Sequence, residues 1–106
     1  MKLFEFFQTS DINRDVEQFR QTPGAMLLDV RGEDEYAQGH IPGSVNIPLQ
    51  TLPMKKGLPE DPDTPLFVYC RSGGRSRRAA AFLEKIGYQN VKNIGGIMNW
   101  QGEIEK

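Results

Sequence analysis

The sequence contains a single cysteine among 106 residues and no long hydrophobic run. One cysteine excludes an internal disulfide framework, and a lone thiol is typical of the reducing cytoplasm, which is the expected location. A membrane-spanning helix needs roughly 20 apolar residues, and no stretch approaches that length. The net charge of −1 gives no reason to expect nucleic-acid or membrane binding.

The composition is that of an ordinary globular protein, with 38% hydrophobic and 25% charged residues. A chain of this length suits one domain, 1–106, and is too short for two. No pattern of His, Cys, Asp and Glu has the spacing of metal ligands, so neither a metal nor a cofactor is expected.

Strand-like and helix-like patterns alternate along the chain. Apolar runs predict strands at 3–7, 25–30, shortly after Ser44, at 66–69 and at 91–94. Helical patterns fall at 12–19, capped by Thr9 or Ser10, at 33–38, near 49–54, after Gly74 and from 97 to 100. This alternation predicts an α/β domain with a mainly parallel sheet and helices on both faces.

The most informative stretch surrounds Cys70, which ends a predicted strand directly before a Gly73-Gly74 turn and a helix. Four of the seven arginines follow it closely: Arg71, Arg75, Arg77 and Arg78. Loop amides, the helix dipole and guanidinium charges favour a thiolate, so we expect a lowered pKa for Cys70. A lone cysteine in a strand is usually a small hydrophobic residue, but these surroundings favour a reactive one.

Four motifs in order make the sequence resemble the rhodanese family of sulfurtransferases. They are Leu27-Leu28-Asp29-Val30-Arg31, then Glu35-Tyr36 with Gly39-His40-Ile41-Pro42-Gly43-Ser44, the loop from Cys70 to Ser76, and Gly95-Gly96 with Trp100. The resemblance covers nearly the whole chain. It implies a three-layer α/β sandwich around a five-stranded, mainly parallel sheet.

The resemblance also implies a mechanism. A donor such as thiosulfate would give its outer sulfur to Cys70 as a persulfide, and cyanide or a thiol would remove it. A sulfur-relay or thioredoxin-type protein is a further expected partner. The anion-binding loop would comprise Arg71, Ser72, Gly73, Gly74, Arg75 and Ser76, with Arg71 and Arg75 attracting anionic donors.

Supporting roles are expected for four residues outside the loop. His40 would orient its own turn by hydrogen bonding, and Glu35 would turn inward to buttress the Cys70 loop. Asp29 and Arg31, at the end of the neighbouring strand, are expected to form an ion pair or to hydrogen-bond the loop, with substrate contact by Arg31 as an alternative.

Two other functions remain open at this point. Phosphatases and arsenate reductases also use a thiolate in an anion-binding loop, but their arginine follows after five intervening residues, whereas four separate Cys70 from Arg75. The shorter loop suits one added sulfur better than a tetrahedral oxyanion. The third possibility is a non-catalytic binding module on the same fold, against which the presence of Cys70 counts.

Overall fold

The computed structural model describes residues 11–106, which form a parallel sheet between two layers of helices. Its strands are β1 (Met26–Asp29), β2 (Ser44–Asn46), β3 (Leu66–Cys70) and β4 (Val91–Gly96). Its α-helices are α1 (Ile12–Arg20), α2 (Glu33–Gln38) and α3 (Gly74–Lys85), and two 3₁₀ helices span Leu49–Met54 and Ile97–Asn99.

The four described strands lie in the order β2-β1-β3-β4, and every neighbouring pair is parallel. The predicted strand at 3–7, which would make a fifth, lies outside the described residues. Because β1 and β3 occupy the middle of the sheet, their carboxyl ends lie side by side. Asp29 pairs in register with Tyr69, which places the end of β1 beside the start of the Cys70 loop.

Alternate side chains of the central strands fill two separate cores. Leu28 and Val68 pack on one face with Leu83 of α3, whereas Leu27 and Phe67 pack on the other face with Val16 of α1. The three-layer α/β architecture predicted from the sequence is therefore confirmed. The continuous burial of β3 explains why its sequence is an apolar run rather than an alternating pattern.

One predicted helix cap is wrong. The N-cap of α1 is Asp11, whose carboxylate accepts a hydrogen bond from the Asn13 amide at 3.0 Å, rather than Thr9 or Ser10. Aspartate, serine and threonine are all favoured at this position, so composition alone did not decide between neighbouring candidates. No helix in 11–106 is long and apolar enough to cross a bilayer.

Candidate active site

Cys70 is the last residue of β3, and only Arg71, Ser72 and Gly73 separate it from α3. The backbone at Gly73 has a φ of 108°, in the left-handed region that strains residues with a side chain. This turn brings the Gly73 amide back to donate a hydrogen bond to Cys70 Sγ at 3.0 Å. The cysteine is only 1% exposed, whereas Arg71, Ser72 and Gly74 are exposed around it.

The environment of the thiol lowers its pKa below the ordinary value of 9.0. Burial acts in the opposite direction, but hydrogen bonds from the Ser76 hydroxyl and from the amides of Ser76, Gly73 and Ser72 outweigh it. The lowered pKa was predicted from loop amides, the helix dipole and arginine charge. The causes that lower it are hydrogen bonds from the loop, which stabilise the negative charge of a thiolate.

Arg75 and Glu35 form a bidentate ion pair between the first turn of α3 and α2. Arg75 Nη1 lies 2.7 Å from Glu35 Oε1, and Nη2 lies 3.0 Å from Oε2. Glu35 Oε1 also accepts a hydrogen bond from the Gly32 amide at 2.9 Å. Glu35 thus turns toward the loop, and both terminal nitrogens of Arg75 are paired with its carboxylate.

This pair makes a pH-dependent contribution to stability. Hydrogen bonding to Arg75 lowers the pKa of Glu35 from 4.5 to about 2, against a smaller opposing effect of burial. A carboxylate with a lowered pKa stabilises the folded state fully above its unfolded value, and the contribution is lost as the pH falls through the folded value. The ion-pair contribution should therefore decline between pH 4.5 and about 2.

We expect Glu35→Gln to reduce the free energy of unfolding by about 1 kcal/mol at neutral pH, since the pair is partly exposed and bidentate. Urea titrations of both proteins across acid pH will measure the difference. It should shrink steadily below pH 4.5 and approach zero near pH 2. A difference that stays constant over this range would show that the charge of Glu35 does not matter.

Asp29 and Arg31 form a second ion pair, which is almost fully buried. Arg31 Nη2 lies 2.7 Å from Asp29 Oδ2, and Arg31 Nε donates to both carboxylate oxygens at 3.0 Å. The same Nη2 donates to the Gly39 carbonyl at 2.8 Å. The pair therefore fixes the turn that begins at Gly39. Arg31 also lines a surface cavity of about 260 Å³ together with Arg71, Ile97 and Met98.

His40 is held within its own turn and against the C-terminal segment. Its ring stacks on Tyr36 at a centroid distance of 3.7 Å, and Nδ1 lies 2.8 Å from the Tyr36 carbonyl. The backbone of His40 pairs with Glu105 through two hydrogen bonds. These contacts fit a role in orienting the turn.

Sequence analysis missed Asn93, which lies in β4 beneath the loop. Its Oδ1 accepts hydrogen bonds from the Ser76 hydroxyl at 2.7 Å and from the Gly95 amide at 3.0 Å. An asparagine two residues before a glycine is a signal for a side-chain turn, and this signal was present in the sequence. The partnership with Ser76 joins residues 17 positions apart and depends on the fold.

The described residues contain no group of three or more His, Cys, Asp or Glu side chains that could hold a metal ion. The site itself offers one hydrogen-bonded thiol. Its neighbours are loop amides, the Ser76 hydroxyl and two arginines, one of which is paired.

Known proteins resemble this chain in sequence and in backbone structure. A sequence profile described as "Rhodanese-like domain" matches residues 13–103. A protein named sulfurtransferase from Allochromatium vinosum is 38% identical over 86 residues, covering 79% of this chain and 78% of that protein. Thiosulfate sulfurtransferase PspE of Escherichia coli is 38% identical over 72 residues, covering 66% of this chain and 68% of that protein.

A longer relative and a solved structure agree with these matches. Adenylyltransferase and sulfurtransferase uba4 of Ogataea parapolymorpha is 38% identical over 91 residues, or 85% of this chain, but the chain spans only 23% of its length. A rhodanese-like domain protein from Staphylococcus aureus has a TM-score of 0.76 at 26% identity, covering 89% of this chain and 92% of that one. The sequence matches and the structural match therefore indicate the same family of proteins.

Proposed function

This chain belongs to the rhodanese-like domain family, and from that premise we propose that it is a sulfurtransferase that carries a sulfane sulfur on Cys70. The observation that carries the proposal is a buried thiol held at the end of a strand by hydrogen bonds from a short loop. The three matched relatives described above all have sulfurtransferase in their names, and one of them is named for thiosulfate. Their names support the reaction class and one candidate donor.

In the first proposed step the Cys70 thiolate attacks the outer sulfur of thiosulfate. A sulfur–sulfur bond to Cys70 forms, the bond within thiosulfate breaks, and sulfite leaves with the electron pair. In the second step cyanide or a thiolate attacks the outer sulfur of the persulfide. The acceptor gains that sulfur, and the electron pair of the broken bond returns to Cys70.

The loop residues would serve these steps through charge and hydrogen bonding. The Gly73 amide and the Ser76 hydroxyl would stabilise the thiolate before attack and again when it leaves the persulfide. Exposed Arg71 would attract an anionic donor, since it directly follows the reactive cysteine in the chain. Arg75 would keep the loop in shape through Glu35 rather than bind the donor.

The pairing of Arg75 with Glu35 also argues against phosphatase or arsenate reductase activity. Those reactions need a guanidinium that binds the oxyanion in a bidentate manner. Arg75 gives both of its terminal nitrogens to Glu35, which favours sulfur transfer.

We also propose the physiological partners and location of the protein. The partners are a small-molecule sulfur donor with a thiol or cyanide acceptor, or a sulfur-relay or thioredoxin-type protein. The proposed location is the cytoplasm, which suits a lone thiol.

Intact-mass measurement after incubation with thiosulfate tests the proposal. We expect the protein to gain one sulfur atom, to lose it on addition of cyanide, and to release thiocyanate in equal amount. Arsenate and an aryl phosphate ester serve as control substrates and should not turn over. A protein that gains no sulfur from thiosulfate or from glutathione persulfide would support the binding-module alternative instead.

A further inference from the structure

Asn93 is a polar residue of β4 on the face of the sheet that α3 covers. Val91 of the same strand packs against the core cluster that contains Leu83 of α3, and alternate residues of a strand point to the same face. Asn93 therefore lies beneath the first turn of α3. Ser76 on that turn is fully buried, and a buried hydroxyl needs a hydrogen-bond partner. Asn93 provides one, since its Oδ1 lies 2.7 Å from Ser76 Oγ.

An irregularity of the sheet holds Asn93 in this position. Val68 pairs with Asn93, but the next residue, Tyr69, pairs with Gly95, so β4 contains one extra residue at this point. The Gly95 amide donates a hydrogen bond to Asn93 Oδ1 at 3.0 Å, which closes a side-chain turn across the bulge. The carboxamide is thus fixed by its own strand, with its oxygen toward Gly95 and Ser76.

The same carboxamide reaches Gly73, the loop residue whose amide donates to Cys70 Sγ at 3.0 Å. The Gly73 carbonyl accepts a hydrogen bond from the Arg77 amide at 3.0 Å and a longer one from Asn93 Nδ2 at 3.4 Å. Ser76 Oγ also lies 3.1 Å from this carbonyl, but its single proton goes to the closer acceptor, Asn93 Oδ1. Asn93 therefore joins β4 both to the loop and to the first turn of α3.

We propose that Asn93 is a positioning residue that holds Gly73 and Ser76 in place, so that the Gly73 amide stays aimed at the Cys70 sulfur. Gly73 has a left-handed φ of 108° and no side chain, so its backbone turns more freely than that of other residues unless neighbours hold it. Rotation of this backbone would swing the N–H away from the sulfur, and hydrogen bonds weaken steeply as they bend. Asn93 restricts that rotation from beneath the loop.

The importance of this alignment for catalysis rests on the proposed sulfur transfer. The Gly73 amide would stabilise the negative sulfur of Cys70 before it attacks a donor and again when it leaves the persulfide. Hydrogen bonds to ionised groups are stronger than those to neutral groups, so a misaligned amide costs the thiolate more than it costs the thiol. Asn93 thus supports the reactivity of Cys70 through Gly73.

The test measures the thiol pKa of Cys70 from the rate of its alkylation by iodoacetamide against pH. We expect Asn93→Ala to raise this pKa by roughly half a unit to one unit, because a loosened Gly73 amide stabilises the thiolate less. Arg75, whose charge interacts with that of Cys70, and its partner Glu35 are present in both proteins. A pKa that stays the same or falls in Asn93→Ala would contradict the proposal.

Asn93→Ser separates positioning of the loop from shaping of the strand. A serine hydroxyl can still accept the Gly95 amide in a side-chain turn. It ends one bond closer to the backbone, however, and so loses the contacts with Ser76 and Gly73. We expect this variant to raise the thiol pKa as much as alanine does, and it also serves as the test if Asn93→Ala does not fold. An unchanged pKa would show that Asn93 only shapes the bulge, which would overturn the proposal.

Asn46→Ala is the matched control for loss of a hydrogen-bonded asparagine. Asn46 Nδ2 donates to the carbonyls of Asp29 and Arg31 at 2.9 Å each, at and just after the end of β1. Its replacement should reduce stability but leave the thiol pKa unchanged. Urea unfolding will show that each variant is folded and will measure the loss of stability. An equal rise of the pKa in Asn46→Ala would mean that general loosening of the fold is the cause, and the proposal would fail.

Alkylation needs neither a sulfur donor nor an acceptor, so the inference and the proposed function can fail separately. A protein that takes up no sulfur from thiosulfate can still show the effect of Asn93 on the thiol. An active sulfurtransferase can equally lack that effect.

Discussion

Replacing Cys70 by serine is expected to abolish uptake of sulfur from thiosulfate. The hydroxyl of serine keeps the size of the side chain and can still meet the Gly73 amide, which donates to the sulfur in the native protein. It does not ionise near neutral pH, however, and it cannot form the sulfur–sulfur bond of a persulfide. Sulfur transfer to cyanide should fall to the rate of the uncatalysed reaction.

Intact mass and thiocyanate release measure this loss, and Arg78→Ala provides a matched control. Arg78 is exposed on the same helix that follows the loop and should leave sulfur uptake unchanged within about twofold. Urea unfolding should show that Cys70→Ser is folded, so that the loss belongs to the missing thiolate. Sulfur bound by the serine variant would place the acceptor atom elsewhere in the chain and refute the assignment of Cys70.

Gly96→Ala is expected to cause the largest structural effect. Gly96 is the last residue of β4 and pairs with Cys70, so its backbone passes directly under the loop. An added Cβ would collide with the carbonyl oxygen of Arg71 and would lie 2.6 Å from Ser72 Cα. Because these are backbone atoms, the loop can make room only by moving away from β4.

We expect this change to lower the free energy of unfolding by about 3 kcal/mol, at the upper end for a single added methyl group. It should also raise the thiol pKa of Cys70, since a displaced loop no longer aims its donors at the sulfur. Urea unfolding and alkylation against pH measure the two effects. An alanine tolerated at 96 without loss of stability would mean that β4 and the loop are not in close contact.

Gly74→Ala is the matched control for stability. A Cβ at this position meets nothing within 4 Å, and Gly74 begins α3 with ordinary helical backbone rather than a left-handed φ. Alanine is the better helix former, so stability should be unchanged or rise by up to about 1 kcal/mol. Comparing the stability of Gly74→Ala with that of Gly96→Ala separates the effect of adding a methyl group from the effect of the position at which it is added.

Local patterns were sufficient to predict the elements that carry the site. The apolar run before Cys70 and the glycines after it predicted β3, the turn and α3, because strands buried on both faces and left-handed turns have strong sequence signals. The helix at 33–38 was predicted with its observed bounds. The lowered pKa of Cys70 was also predicted from the order of the residues around it in the sequence.

The partners of the loop residues were harder to predict, because they come from distant parts of the chain. Glu35 meets Arg75 across 40 positions, and Asn93 meets Ser76 across 17. Which acid turns toward which arginine depends on how α2 and α3 are arranged at the end of the sheet, and hydrophobic periodicity does not specify this. The pairing of Arg75 with a carboxylate was therefore not predicted from the sequence.

The pairing of Arg75 with Glu35 has a consequence for how such loops diverge in evolution. The charge of the guanidinium interacts with that of Cys70, and a carboxylate on a different helix is paired with it. A substitution at position 35 would change the charge offered to a substrate while every residue of the Cys70 loop stayed the same. We therefore expect homologues with identical loops but different residues at position 35 to differ in the anions they select, so the residue that faces the loop arginine belongs in any comparison of their specificity.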